Sequence, residues 1–296
     1  MEIQSFRKLP QDLIMFLQHT YDLPYLLDWE REKDTALFCE EAGFEGIYVP
    51  DHLMLGAGIS YESFSVLAAL AEATSSIKLG CLVSCVPFRN PALVAKIGGT
   101  IDRISGGRLR LGLGAGWHER EFRSYGYEFE DSRKRIDRLE EAADLIGRLW
   151  KESEVNFEGN YYRVDNCICD PKPDDPYLIV GGKGLRVESI ATSYADEWNF
   201  LGSHSEIVKR SPKEKDVSVS WFGGVVVSRK QSHIDDITSR GYAGRPERYV
   251  AGPPEKIVGK LRDMEKRGVD KVILRIMDYP NMATLDLFAD EIMTQI

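Results

Sequence analysis

Eight short apolar runs alternate with helical patterns along this chain, and that alternation leaves few folds open. The runs cover residues 12–18, 46–50, 78–86, 108–113, 178–180, 196–201, 217–227 and 271–277. Helical patterns over 29–42, 62–74, 133–150, 186–194, 254–267 and 282–292, and one opened by Asn90-Pro91, fall between and after them. Strand–helix alternation implies parallel pairing. Eight such units predict an α/β fold closed on itself, a (β/α)8 TIM barrel. Its length of 296 residues suits one barrel domain over 1–296 with insertions in the loops at the strands' carboxyl ends.

Local signals support several of these elements. The clearest helix spans 133–150, where Ile136, Leu139, Ala143, Ile146 and Trp150 recur at spacings of three and four. Asn90 is a good N-cap and Pro91 suits a first helical position. Gly98 and Gly99 lie inside that helix and predict close helix-to-strand packing. Gly43 and Gly268 read as helix stops. The pattern is weaker elsewhere. Residues 151–177, ending in PKPDDP, read as a long surface excursion. Residues 202–216, where a sixth helix is due, are short and polar. The seventh strand is broken by Gly223-Gly224, and 228–253 read as loop over the barrel mouth.

Charge and cysteine usage narrow the function. The formal net charge of −9 argues against a nucleic-acid binder. Any anionic ligand would have to be held by backbone N–H groups or a few placed cations. The five cysteines form no CxxC pair and fit reduced thiols in the cytoplasm. Cys167-x-Cys169 lacks a second pair or nearby histidines, and HExxH is absent, so no metal is expected. No apolar run reaches ~18 residues, so no membrane span is expected. The GxSxG elbow and the P-loop are also missing. His19, His204 and His233 stand alone and read as solvated or structural.

Barrel active sites form at strand carboxyl ends, and four constellations fall there. Asp51 and His52 follow the second strand. Leu82 to Pro87 closes the third. Gly114, Gly116, Trp117, His118, Glu119 and Glu121 follow the fourth, whose glycines would let a flat ligand approach the backbone. Gly181, Gly182, Lys183 and Gly184 precede a helix and can offer N–H groups to a phosphate. Each has a plainer alternative. Asp51 also reads as a helix N-cap, His52 as a loop residue, and either glycine run as an exit turn.

The stretch PFRNPALVAKIGGTIDRISGGRLRLGLGAGWHEREFRSYGYEF, followed by RIDRLEEAADLIGRLW, VNFEGNYYRV, GGKG and YADEWN, resembles the luciferase-like monooxygenase family. It looks most like the branch that uses the deazaflavin coenzyme F420. The similarity is strong over roughly 12–200 and returns weakly in PPEKIVGKLRDMEKRGVDKVIL. The resemblance implies a luciferase-like barrel with a flavin or deazaflavin at the strand carboxyl ends. By the same resemblance Asp51 would contact the cofactor and His52 would exchange a proton with substrate. Leu82-Val83 matches the position of a non-prolyl cis peptide behind the central ring, and Gly181-Gly182 matches the phosphate loop. Some deazaflavin dehydrogenases of the family carry a catalytic Glu directly after the glycine-rich exit. Trp117 stands there instead, which counts against a sugar-phosphate dehydrogenase activity and leaves the proton-transfer residue open among His52, His118 and Glu119.

The leading expectation is therefore an F420-dependent oxidoreductase passing hydride between the deazaflavin and a small organic substrate. Arg89, Lys183 and Arg186 are candidate partners for the anionic cofactor tail. An FMN-dependent monooxygenase fed by a separate flavin reductase is the alternative. A third reading is a non-catalytic flavin-binding protein. The resemblance further implies a homodimer.

Overall fold

The computed structural model describes residues 12–16, 28–54, 60–210, 217–240 and 249–296. Eight strands form the barrel: β1 (Asp12–Phe16), β2 (Gly46–Val49), β3 (Lys78–Cys85), β4 (Leu109–Gly114), β7 (Leu178–Gly181), β8 (Glu197–Phe200), β9 (Ser218–Val227) and β11 (Lys271–Ile276). They pair in that order, all parallel, and β11 closes on β1. Helices α1 (Trp29–Ala42), α2 (Ser63–Ala73), α3 (Pro91–Ser105), α5 (Ser132–Lys151), α6 (Leu185–Tyr194), α7 (His204–Arg210), α9 (Pro254–Lys266) and α10 (Met282–Glu291) lie between or after them. The expected closed (β/α)8 barrel is observed.

Strand periodicity divides the apolar residues into two layers. Leu79, Cys81, Leu111, Leu113, Val180, Trp198 and Val272 point outward and pack under the helices. Ile14, Tyr48, Leu82, Ile179 and Ile273 point inward and fill the barrel. At the amino end of the strands the interior turns polar. There Glu197, fully buried, accepts from Lys271 Nζ at 3.0 Å, Tyr177 Oη at 3.0 Å and Ser220 Oγ at 2.5 Å. The Arg110 guanidinium lies 4.5 Å from the Tyr177 ring centre. This charged plug closes one end of the barrel and leaves the other end for ligands.

Several expectations are refined. Asn90 caps α3 by accepting from Ala92 N at 2.9 Å, with Pro91 behind it, as the sequence pattern implies. A Cβ at Gly98 would lie 2.9 Å from the Trp150 ring of α5 and 3.3 Å from Leu109 of β4, so helix-to-strand packing is tight there. Gly99 instead faces the backbone of Pro171. The surface excursion contains an antiparallel hairpin, β5 (Val155–Glu158) with β6 (Arg163–Cys167). The Glu141 carboxylate on α5 accepts from Asn160 N at 2.7 Å and Tyr161 N at 2.9 Å and anchors its turn. β9 runs through Gly223-Gly224 without a break. It is paired on both edges, by β11 on one side and by β8 and then β10 (Tyr249–Gly252) on the other. The absent side chain at Gly223 leaves room for the Trp221 ring.

The segment read as mouth loop holds α8 (Gln231–Arg240) and β10, and the polar stretch after β8 does begin a helix, α7. The stretch after Gly116 forms a short helix, α4 (Glu119–Ser124). His19 lies outside the described residues. Among the described residues no helix is long and apolar enough to cross a membrane.

Candidate active site

The exits of β2, β3, β4 and β7 meet at the open end of the barrel. Register slips between β3 and β4, because Cys81 pairs with Leu111 while Ser84 pairs with Leu113. The extra residue on β3 is a bulge, a feature common beside active sites. The Leu82–Val83 peptide inside it is cis, where the family resemblance places such a bond. Val83 is pressed among glycines. A Cβ at Gly181 would lie 2.7 Å from Val83 Cγ1, and one at Gly114 would come closer still to Cγ2. Gly112 adds a third side, with Cγ1 of Val83 3.0 Å from its notional Cβ. The glycines of β4 and β7 thus give their space first to this side chain.

Asp51 is turned into the barrel wall. Its side chain is 1% exposed and takes a two-pronged contact from Arg89, at 2.7 and 3.0 Å. It also accepts from Ser63 Oγ and Cys85 N, both at 2.8 Å. A carboxylate offers roughly four acceptor positions, so these donors use it fully. Asp51 ties the β2 exit to the start of α2 and the end of β3. Arg89 also bonds Glu62 at 2.8 Å and lies over the Phe64 ring.

His52, the next residue, reaches the mouth. Its Nδ1 is 3.0 Å from Glu121 Oε2. The other oxygen of Glu121 accepts from the backbone N–H groups of Leu53 and Met54, the latter at 2.8 Å. Glu121 is 1% exposed. Burial raises the pKa of its carboxyl, but the hydrogen bonds from His52, Met54 and Leu53 outweigh burial and hold it below the usual range. His118 approaches the same carboxylate, Nδ1 to Oε2 at 3.6 Å. Trp117, 63% exposed, stacks on the His118 ring at 5.0 Å and meets His52 edge-on at 5.9 Å.

Glu119 stands apart from this group. It lies on the solvent face of α4 and pairs with Arg123 one turn on, at 2.7 Å. Glu121 is the carboxylate that enters the site. The signal for it was the His118-x-x-Glu121 spacing, which puts both side chains on one helix face. That spacing does not complete HExxH, so the motif gives no sign of it.

After β7, Gly182 adopts φ 151°, in the region that favours glycine. Its N–H donates to Asn199 O, and its carbonyl accepts from Trp198 Nε1, both at 3.0 Å. Gly184 is the N-cap of α6 and provides no side-chain cap, so the first-turn N–H groups of that helix are not covered by it. Lys183 pairs with Glu206 at 2.9 Å, and Arg186 pairs with Glu140 at 2.9 Å and with Asp137. Asn199 faces the interior beside Gly181 and donates to Ser220 Oγ at 2.9 Å. Its buried Oδ1 has no hydrogen-bond partner.

The sequence model of the family described as luciferase-like monooxygenase matches residues 13–213. An F420-dependent glucose-6-phosphate dehydrogenase of Intrasporangium calvum is 35% identical over 158 residues, 50% of this chain and 47% of that protein. An FMNH(2)-dependent dimethylsulfone monooxygenase of Pseudomonas fluorescens is 31% identical over 183 residues, 60% of this chain and 50% of that protein. The chain thus spans about half the length of these curated relatives. Among solved structures, an F420-dependent secondary alcohol dehydrogenase in complex with an F420-acetone adduct superposes with a TM-score of 0.81 at 19% identity. The superposition covers 96% of this chain and 98% of that one. At that identity the likeness is one of fold.

Proposed function

This chain belongs to the luciferase-like monooxygenase family, and on that premise we propose that it is an F420-dependent oxidoreductase acting on a small organic substrate. The observation that carries the reading is the His52–Glu121 pair at the barrel mouth, on the strand exit that adjoins the Leu82–Val83 segment of β3. It puts an imidazole held by a buried carboxylate at the exit of the strand that pairs with the one carrying an apolar wall suited to a flat ring.

The residues present suit a deazaflavin. The buried Oδ1 of Asn199 is an unpaired acceptor, and a buried polar atom of that kind calls for a partner such as a ring N–H. Leu82 and Val83 would back the ring. The uncapped N–H groups in the first turn of α6 would meet phosphate. When bound, the deazaflavin supplies a ring carbon that accepts or gives hydride. The protein's part is to orient substrate, keep water out and move the matching proton. His52 is the group placed for the proton. Glu121 holds the imidazole by Nδ1, which leaves Nε2 free to face substrate. General acid–base help of this kind is typically worth ~10²–10⁴ in rate.

An FMN-dependent monooxygenase supplied by a separate flavin reductase is the second reading. The similarity to the dimethylsulfone monooxygenase favours it. So does the engagement of Arg89, Lys183 and Arg186 with carboxylates, since F420 has the longer and more anionic tail. Fluorescence titration of the purified protein with F420 and with FMN separates the two. F420 is expected to bind more tightly. An FMN affinity ten-fold the greater, a gap of about 1.4 kcal/mol, would overturn the assignment.

A further inference from the structure

We propose that His52, His118 and Glu121 form a divalent-metal site at the barrel mouth, with zinc as the fitting ion. No HExxH or paired-cysteine motif announces it, because the ligands come from two separate strand exits. The fold brings them together. Their donor atoms all lie within 4.8 Å of one another.

The two separations from the carboxylate are those of a coordination shell. Nδ1 of His52 and Nδ1 of His118 lie 3.0 and 3.6 Å from one oxygen, Glu121 Oε2. Tetrahedral zinc with bonds of ~2.0–2.1 Å sets its ligands roughly 3.3 Å apart. The two distances bracket that value. A hydrogen-bonded His–Glu pair explains the first, whereas the second is too long for a hydrogen bond. Nδ1 of His118 is buried and makes no hydrogen bond, although it faces a carboxylate. Buried polar atoms are normally satisfied, and a cation between the three donors would satisfy all of them at once.

The surroundings are those of a supported metal ligand. Oε1 of Glu121 is held by the Leu53 and Met54 N–H groups, which aims Oε2 at the two imidazoles. Outer partners of this type orient ligands in known metal sites. Trp117 packs on His118 and against the edge of His52, restricting both rings. The histidine side chains remain 16% and 24% exposed. Three protein ligands with one open side match an accessible zinc site rather than a closed structural one. Two imidazoles and a carboxylate suit zinc and disfavour magnesium, which prefers oxygen donors.

Metal and proton transfer compete for His52. With Nδ1 bound to the ion, Nε2 keeps its proton and no longer cycles between donor and acceptor. Zinc is therefore expected to inhibit turnover, a consequence that rests on the proposed function, whereas metal binding itself does not.

The test uses the cofactor-free full chain. Cobalt is titrated in and followed by its visible d–d absorption, and zinc is used to displace it, with magnesium as the control. One equivalent is expected to bind, without a thiolate charge-transfer band. His118→Ala and Glu121→Gln should each weaken binding at least about ten-fold, with far-UV circular dichroism unchanged. The proposal is overturned if wild type binds no cobalt, if a thiolate band appears, or if folded His118→Ala binds as wild type does. Zinc binding without inhibition would leave the site standing and count against the proton role of His52.

Discussion

The glycines around Val83 make a prediction that separates space from backbone conformation. None of Gly112, Gly114 and Gly181 is among the glycines with positive φ, so alanine is tolerable to the backbone at all three. What alanine meets is Val83. At Gly181 the new carbon would lie 2.7 Å from Val83 Cγ1, about 1 Å inside an ordinary carbon contact. At Gly114 the overlap with Cγ2 is greater. Overpacking of this size typically costs ~1–3 kcal/mol. Val83→Ala removes both γ carbons and on its own costs about 1.6 kcal/mol in lost transfer free energy, counted as two methylene equivalents. It leaves Cβ of Val83 3.7 Å from an alanine at Gly181, an ordinary contact, and 3.3 Å from one at Gly114.

Gly181→Ala and Gly114→Ala should therefore be rescued in the Val83→Ala background, with coupling of roughly 1–2 kcal/mol. Gly112→Ala should not be, because its first obstacle is the Cys81 carbonyl oxygen. Urea unfolding of the single and double variants at constant m measures these terms. Additivity within ~0.5 kcal/mol at Gly114 and Gly181, or equal rescue at Gly112, would refute the packing argument.

Three further outcomes follow from the site and the barrel floor. His52→Ala should bind cofactor nearly as wild type does and lose at least ~10²-fold in single-turnover rate; if His118→Ala loses rate while His52→Ala does not, the proton role belongs to His118. The carboxyl of Glu121 is held below its usual pKa, so its partners stabilise the fold above the unfolded carboxylate value of ~4.3 and that stabilisation fades as pH falls through the lower folded value. In metal-free buffer the melting-temperature gap between wild type and Glu121→Ala should therefore shrink from pH 7 toward pH 3; a constant gap would be contrary. Lys271→Met strips the buried Glu197 of its ion partner and should cost about 3 kcal/mol in urea unfolding, whereas a loss near zero would mean that the Tyr177 and Ser220 hydroxyls suffice.

The barrel was legible because it is written in periodicity. Each strand is a short apolar run and each helix an apolar stripe, and these repeat often enough that errors at their ends do not alter the topology. Gly223-Gly224 misled because glycine was weighed by its own propensity. β9 is held by neighbours on both edges, and its glycine leaves space for the Trp221 ring, a partner invisible to local reading. The site was legible only in part for a related reason. His52 and the Leu82–Val83 segment could be located because they end strands. Glu119 and Glu121 could not be told apart by type, since α4 is six residues long and its orientation is set by docking. The buried face of α4 takes Glu121 to His52, 69 positions away in sequence, and leaves Glu119 in solvent.

The same docking logic decides which cation can serve an anionic cofactor tail. Arg89, Lys183 and Arg186 read alike in the sequence, as positive charges near strand exits at the barrel mouth. In the fold each has a carboxylate, but the pairs differ in what they cost to open. Arg89 is locked in a two-pronged contact to a side chain 1% exposed, and breaking a buried pair of that kind costs about 3–5 kcal/mol. Lys183–Glu206 is half exposed on both sides, where an ion pair is worth roughly 0–1 kcal/mol. Ser203 N donates to Glu206 at 2.8 Å, so its carboxylate keeps a partner when Lys183 leaves. Arg186, similarly exposed, holds two carboxylates on α5 and would have to leave both. Lys183 is thus the cation that can swing to a phosphate at little cost, and it stands between Gly182 and the open N-terminus of α6. Any preference for the longer anionic cofactor should therefore weaken in Lys183→Ala and persist in Arg186→Ala.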